Sequence, residues 1–184
     1  KHNLQWVSSL ILVGKLLDMV RIWTKFSGFL LREVIMSERF TDQVAIISGG
    51  SRGIGKAIAL RLAAGGAIVA LNYNSSKTDA LQAVEQITAS GGQAVAIQAD
   101  VTDKTQVTQM VDQVVNLWAR IDILVNNAGI RKDRLLIRMS DDEWDSVISV
   151  NLRSAYLCTK AVLPFMVRQR YGRIINMSSV IGLT

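Results

Sequence analysis

Five short apolar runs punctuate the chain from residue 42 onward: Val44-Ala45-Ile46-Ile47, Ala67-Ile68-Val69-Ala70-Leu71, Ala94-Val95-Ala96-Ile97, Ile121-Asp122-Ile123-Leu124-Val125 and Arg173-Ile174-Ile175-Asn176-Met177. Bounded by turn residues and largely apolar, each reads as a strand, the first of them buried. The segments between them carry apolar residues at helical spacing. The first, from about Ile54 to Ala64, offers Ile58, Leu60 and Leu62 for packing and ends at Gly65-Gly66. Thr78 to Ser90 is a second helix, closed by Gly91-Gly92. Asp103 and Gln106 form a capping-box pattern for a third, which runs to about Trp118. Ser140 and Glu143 open a fourth, long stretch bearing Trp144, Val147, Leu157, Val162 and Met166, which Pro164 is expected to kink rather than end. This alternation predicts an α/β fold, a doubly wound parallel sheet with helices on both faces.

The turn after the first strand is rich in glycine: Ser48-Gly49-Gly50-Ser51-Arg52-Gly53-Ile54-Gly55. A buried strand, a glycine turn and a helix N-terminus in that order make a site for phosphate. Glycine lets backbone approach the anion, and the free N–H groups and helix dipole stabilise it. Read from Gly50, the residues nearly complete a Walker A loop, Gly50-x-x-x-x-Gly55-Lys56, but Ala57 stands where a hydroxyl must ligate magnesium. The Gly49-x-x-x-Gly53-x-Gly55 spacing instead suits a dinucleotide on a Rossmann-type sheet. In such a sheet the second strand ends beside the adenosine ribose. Here it runs into Asn72-Tyr73-Asn74-Ser75-Ser76-Lys77, with no acid before Asp79. An acid at that point grips the ribose hydroxyls of NAD and repels a 2′-phosphate. Its absence, with Arg52 in the turn, favours NADP(H).

The formal charge of +6 is spread along the chain, no nucleic-acid motif is present, and the basicity argues for acidic or phosphorylated ligands. Cys158, the single cysteine, falls among helical apolar residues and is expected as packed core in a reducing compartment. The lone His2 supports neither a metal site nor a catalytic triad, and no metal is expected. Residues 1–35 include an apolar segment from Leu10 to Trp23 interrupted by Lys15, Asp18 and Arg21, which argues against a membrane-spanning helix. Met36 precedes a sensible start for the first strand. Residues 1–35 are therefore expected to be an atypical extension or upstream read-through, and residues 36–184 the NADP-binding domain.

Ser48-Gly49-x-x-x-Gly53-x-Gly55, Asp100-Val101, Asn126-Asn127-Ala128-Gly129, Asn151 and Ser178-Ser179 occur in order along residues 42–184. In that register they resemble the short-chain dehydrogenase/reductase family. The resemblance implies that Gly49, Ser51, Arg52, Gly53, Ile54 and Gly55 line the pyrophosphate and adenosine-phosphate end, with Asn72 beside them. It implies that Asp100 and Val101 contact adenine, and that Asn127, Ala128 and Gly129 pass beneath the nicotinamide ribose. Asn151 and Ser179 are the implied catalytic residues. Ser179, followed by Val180-Ile181-Gly182, fits the family pattern better than Ser178, and its hydroxyl would hydrogen-bond the substrate carbonyl.

The family also uses a Tyr-x-x-x-Lys pair about a dozen residues beyond that serine. Tyr156 and Lys160 match the string but precede Ser179, one turn apart on a helix, and are read as a chance match. The chain as written is therefore expected to lack its acid/base pair and to show no turnover.

Within the family, Gly129 to Met139, Glu143-Trp144 and Gly172 to Asn176 resemble reductases of 3-oxoacyl thioesters linked to acyl-carrier protein. That resemblance implies fatty-acid synthesis, a cytoplasmic or plastid location, a homotetramer, and docking of the acidic carrier on Arg168 and Arg170. Arg131-Lys132 departs from the usual Thr-Arg. CoA-linked substrates and sugar or polyol dehydrogenases share much of the pattern and stay open, as does a non-catalytic nucleotide-binding fragment.

Overall fold

The computed structural model describes residues 39–179. The chain divides into two units, Lys1–Arg39 and Phe40–Thr184, and the elements below all belong to the second. The expectations placed on residues 1–35 and on Val180-Ile181-Gly182 lie outside the described residues.

Five strands form one sheet: β1 (Val44–Ile47), β2 (Ile68–Tyr73), β3 (Gln93–Gln98), β4 (Ile123–Asn126) and β5 (Arg173–Asn176). Their order is β3-β2-β1-β4-β5, and every pairing is parallel. The chain winds outward from β1 through β2 to β3, then crosses back to place β4 on the other side of β1. That reversal is a topological switch point, and it opens a crevice at the carboxyl ends of β1 and β4.

Side chains alternate along β1, so the strand feeds two cores. Val44 and Ile46 face α3 (Lys104–Trp118) and α5 (Ser154–Gln169), packing with Val107, Val111, Val114, Leu157 and Val162. Ala45 and Ile47 face α1 (Gly53–Ala64) and α2 (Lys77–Ala89), packing with Ala59, Leu62, Ala83 and Ile87. Cys158 is buried in the first core, and burial pushes its thiol up to about 12, leaving an inert packing residue.

Asp122, wholly buried at the start of β4, locks the amino edge of the sheet. One carboxylate oxygen accepts from the Val44 amide at 2.8 Å, and both oxygens take a forked pair of bonds from Arg120 at 2.8 and 2.9 Å. Its backbone carbonyl accepts from the Arg173 amide, so β1, β4 and β5 meet on one residue.

The strand and helix predictions hold with informative shifts. The second strand continues through Asn72 and Tyr73, because both pair with β3. Ser140 and Glu143 do form a reciprocal capping box at α4 (Asp141–Ile148). Asp103 caps α3 by accepting from the Thr105 and Gln106 amides, but the Gln106 carbonyl oxygen turns instead to the Asp100 amide at 2.9 Å. The long helix is not one helix. It breaks at a π-helical turn, Ser149–Arg153, while α5 runs on past Pro164 without ending.

Among the described residues no helix is long and apolar enough to cross a membrane.

Candidate functional site

A cleft of about 380 Å³ opens at the carboxyl edge, lined by Gly49, Ser51, Arg52, Asn72–Ser76, Ala99–Thr102, Asn127–Ile130 and Val150. Three glycines shape its rim for different reasons. Gly49 has φ +64°, and a Cβ there would press on the Ala128 Cα at 3.0 Å. At Gly55 a Cβ would collide with the Gly49 carbonyl oxygen, so this glycine lets the first turn of α1 lie against the strand turn. Gly53 has φ +56° and no atom within 4 Å of the Cβ position, so its requirement is conformational. Arg52, the N-cap residue of α1, makes no side-chain cap, so the first-turn N–H groups have no capping oxygen from it. The guanidinium of Arg52 is exposed and takes part in none of the described ion pairs.

Beneath the rim the strand ends are stitched together. The buried Ser48 hydroxyl accepts from the Asn127 and Ala128 amides at 2.9 and 3.0 Å and donates to the Val125 carbonyl at 3.3 Å. The Asn127 side-chain amide returns two bonds of 3.0 Å, to the carbonyls of Ser48 and Gly49. Ser48 was not among the expected site residues. The available signal was a serine directly after a fully apolar strand.

Asn72 is also drawn inward, being only 2 % exposed. Its oxygen accepts from the Gly49 amide at 3.3 Å and its nitrogen donates to the Ala99 carbonyl at 2.9 Å. It therefore holds the glycine turn against the ends of β2 and β3, and its amide is committed to protein. The polar wall beyond it comes from Asn74, Ser75, Ser76 and Thr102. Asp100 takes two bonds from Thr102 on one oxygen, at 2.8 and 2.7 Å, which fixes its carboxylate beside Val101 in the same wall.

Farther along, Asn151 lies in the π-helical turn. Its side chain clasps Ile130, accepting from the amide at 2.8 Å and donating to the carbonyl at 3.0 Å. Each end of the amide makes one of these bonds, which holds Asn151 against Ile130 and leaves one N–H of its side chain for other use. Asn126 donates to Asn176 at 2.8 Å and to Thr159 at 3.2 Å, while its own oxygen is buried without a partner. The Met177 amide bonds the Asn126 carbonyl at 2.9 Å, which carries Ser178 and Ser179 out over the same edge as the cleft. Both serines are exposed.

Two expectations separate from this edge. Tyr156 and Lys160 stand on the outer face of α5, hydrogen-bonded to each other at 2.9 Å, and neither lines the cleft. The Lys160 ammonium, hydrogen-bonded to the Tyr156 phenol, holds it below its usual range, with a smaller contribution from Lys104. Arg168 and Arg170 sit at the end of α5, which the paired bonds of Gln169 to the Ile121 backbone, 3.0 and 2.9 Å, fix near the start of β4. They belong to the amino edge of the sheet, opposite the cleft of the same chain. No cluster of three metal-ligating side chains occurs among the described residues.

A parallel sheet in this order, with a glycine turn and an Asn-Asn-Ala-Gly turn meeting at the switch point, is the architecture of a family. The chain belongs to the short chain dehydrogenases, whose pattern it matches over residues 43–184. Among individual proteins it is 50 % identical over 143 residues to a 3-oxoacyl-[acyl-carrier-protein] reductase of Synechocystis, covering 78 % of this chain and 58 % of that one. It is 49 % identical over 141 residues to the Staphylococcus epidermidis protein of the same name, again covering 58 % of the relative. The chain thus spans somewhat over half the length of these curated relatives. A metagenomic short-chain oxidoreductase solved in complex with NADP superimposes with a TM-score of 0.75 at 36 % identity, covering 79 % of this chain and 66 % of that structure. A short-chain dehydrogenase/reductase variant from Serratia marcescens superimposes with a TM-score of 0.67 at 37 % identity, covering 69 % of this chain and 52 % of that structure.

Proposed function

We propose that the intact protein reduces a 3-oxoacyl thioester, carried on acyl-carrier protein, to the 3-hydroxyacyl form with NADPH during fatty-acid synthesis. The observation that carries the cofactor half of this reading is one cleft wall. Arg52 and the acid-free run Asn72–Ser76 line the same opening, so a 2′-phosphate at the end of β2 meets a cation and hydroxyls, while the one carboxylate of the lining, Asp100, is held by Thr102 beside Val101. The glycine cradle fits a pyrophosphate, because its rim is backbone that any Cβ at Gly49 or Gly55 would obstruct. Gly49, Ser51, Gly53, Ile54 and Gly55 would hold that group, Asp100 and Val101 the adenine, and Ala128 and Gly129 the floor under the nicotinamide ribose. Asn127 and Asn72 would support the cradle from below.

When bound, the nicotinamide supplies a hydride. The chain's own part at the reacting end is to orient the carbonyl. The Ser179 hydroxyl donates to the substrate oxygen and stabilises charge developing there. Asn151 positions Ile130 and the loop that leaves the cleft. The proton comes from a Tyr-x-x-x-Lys pair that the family resemblance places beyond Ser179. Tyr156 and Lys160 do not supply it, so residues 39–179 bind cofactor without turning substrate over. The name shared by relatives at 49 and 50 % identity favours the carrier-linked substrate over sugars or polyols. The intact protein is a homotetramer that covers the apolar stripe of α4 and α5.

The test is NADPH oxidation by the intact protein with 3-oxoacyl thioesters and with sugar ketones. Thioester reduction that drops about 100-fold in kcat for Ser179→Ala supports the reading. A preference for sugar ketones, or full activity without Ser179, would overturn it.

A further inference from the structure

The turn between β3 and α3 reads Asp100-Val101-Thr102-Asp103. An aspartate can close such a turn by accepting from the N–H two residues on, and a threonine at that place adds its hydroxyl. Both bonds form: the Thr102 amide and hydroxyl donate to Asp100 Oδ1 at 2.8 and 2.7 Å. The Asp100 backbone is fixed as well. Its amide donates to Oε1 of Gln106, in the first turn of α3, at 2.9 Å, and its carbonyl accepts from the Asp103 amide at 3.1 Å. Gln106 is tied in turn to the Asp103 carboxylate, through its amide at 3.1 Å and its side-chain nitrogen at 3.4 Å. Asp100, Thr102 and Gln106 are all half-buried.

The two oxygens of Asp100 are thereby made unequal. Oδ1 has both lone pairs taken by Thr102, whereas nothing among the described residues bonds Oδ2. The carboxylate lies in the wall of the cleft with Val101 and Thr102, while Gln106 stands behind that wall. A carboxylate held in this way accepts at one oxygen and from one direction. It suits a 6-amino purine, whose exocyclic amine donates, and disfavours a 6-oxo purine, whose oxygen would face a negative one. We propose that Thr102 and Gln106 are positioning residues that make Asp100 a reader of the purine 6-substituent. Thr102 fixes the rotation of the carboxylate, and Gln106 fixes its place in the wall. This rests on the reading of the cleft as a dinucleotide site with adenine at Asp100. It adds that rejection of other purines is set by two residues that act through that aspartate.

The test is calorimetric binding of NADPH and of its hypoxanthine analogue, which carries a 6-oxo purine, to the intact protein. Both ligands have the same phosphates and nicotinamide, so a general loosening of the site weakens the two alike. Wild type is expected to bind NADPH about thirtyfold more tightly than the analogue. Thr102→Val keeps the backbone N–H bond and loses the hydroxyl. It is expected to weaken NADPH about fivefold and to leave the analogue nearly unchanged. Thr102→Ser, which keeps the hydroxyl, should retain the wild-type preference. Gln106→Leu removes the acceptor of the Asp100 amide and is expected to lower the preference by a similar factor of about five.

Equal affinity of wild type for the two ligands would overturn the proposal and leave the dinucleotide reading standing. So would a preference that survives both Thr102→Val and Gln106→Leu, or a weakening of both ligands by one factor, which is the mark of a merely structural role. Binding of neither ligand to wild type would remove the dinucleotide reading, and the proposal with it.

Discussion

On the β1–β2 side of the switch point nine of the ten strand residues are buried, whereas β5, beyond β4 on the other side, buries none completely. The helices repeat the contrast. α1 and α2 bury their apolar faces beneath the glycine turn, in a core built from Ala59, Leu62, Ala83 and Ile87. α4, the π-helical turn and α5 expose Trp144, Leu152, Tyr156, Leu163 and Val167 along one direction of helix. On the cofactor side β1 and β2 are packed on both faces, and the cleft is held by the hydrogen bonds of Ser48, Asn72 and Asn127. The β5 half presents surfaces that call for cover. Binding of a dinucleotide and chemistry on a substrate therefore draw on unequal supports, and the difference can be probed residue by residue.

The largest effect is expected where the two halves meet. Asp122→Ala leaves the buried Val44 amide without its acceptor and Arg120 without its partner, at a cost of about 3 kcal/mol by urea unfolding. Loss of stability under about 0.5 kcal/mol would show that the halves are not joined through this residue. On the cofactor side, Gly55→Ala drives a methyl into the Gly49 carbonyl. It is expected to cost about 2 kcal/mol and to abolish measurable NADPH binding, as read by calorimetry.

A pair on α5 sharpens the other side. Val162→Ala, at a fully buried position, should cost about 2 kcal/mol. Val167→Ala, 68 % exposed on the same helix, should change the stability of this chain by less than about 0.5 kcal/mol. Equal effects would mean that the stripe is packed in solution.

Asp103 gives a smaller, pH-dependent effect. Bonds from the Gln106 and Thr105 amides hold its carboxyl below the usual carboxylate range. A depressed native value stabilises the fold above the unfolded value, and that contribution is lost as pH falls through the native one. Asp103→Ala should therefore lower the melting temperature at neutral pH and converge with wild type in strong acid. A difference independent of pH would count against the cap.

Much of the cofactor half was legible because its causes are local. Continuous apolar runs announced β1 and β4, and the glycines announced the turn whose backbone geometry requires them. Three features were hidden because their causes are tertiary. Asn72 looked like a residue past the end of a strand, but pairing with β3 extends β2 through it and turns its amide inward. Pro164 drew attention as the irregular point of the long helix. The irregularity instead falls at Ser149–Arg153, where the clasp of Asn151 on Ile130 accompanies the π-helical turn. Arg168 and Arg170 are implied as docking residues by the family resemblance, and only the bonds of Gln169 to Ile121 reveal which edge of the sheet they occupy.

The central claim is that the glycine turn and the acid-free end of β2 form one NADP(H) site with Arg52 as its phosphate cation. It is tested most directly by titrating the chain and its Arg52→Ala variant with NADPH and with NADH, following nicotinamide fluorescence. Wild type is expected to bind NADPH at least about tenfold more tightly than NADH, and Arg52→Ala to remove most of that preference while leaving NADH nearly unchanged. Equal affinity for the two nucleotides in wild type, or equal weakening of both in the variant, would contradict it.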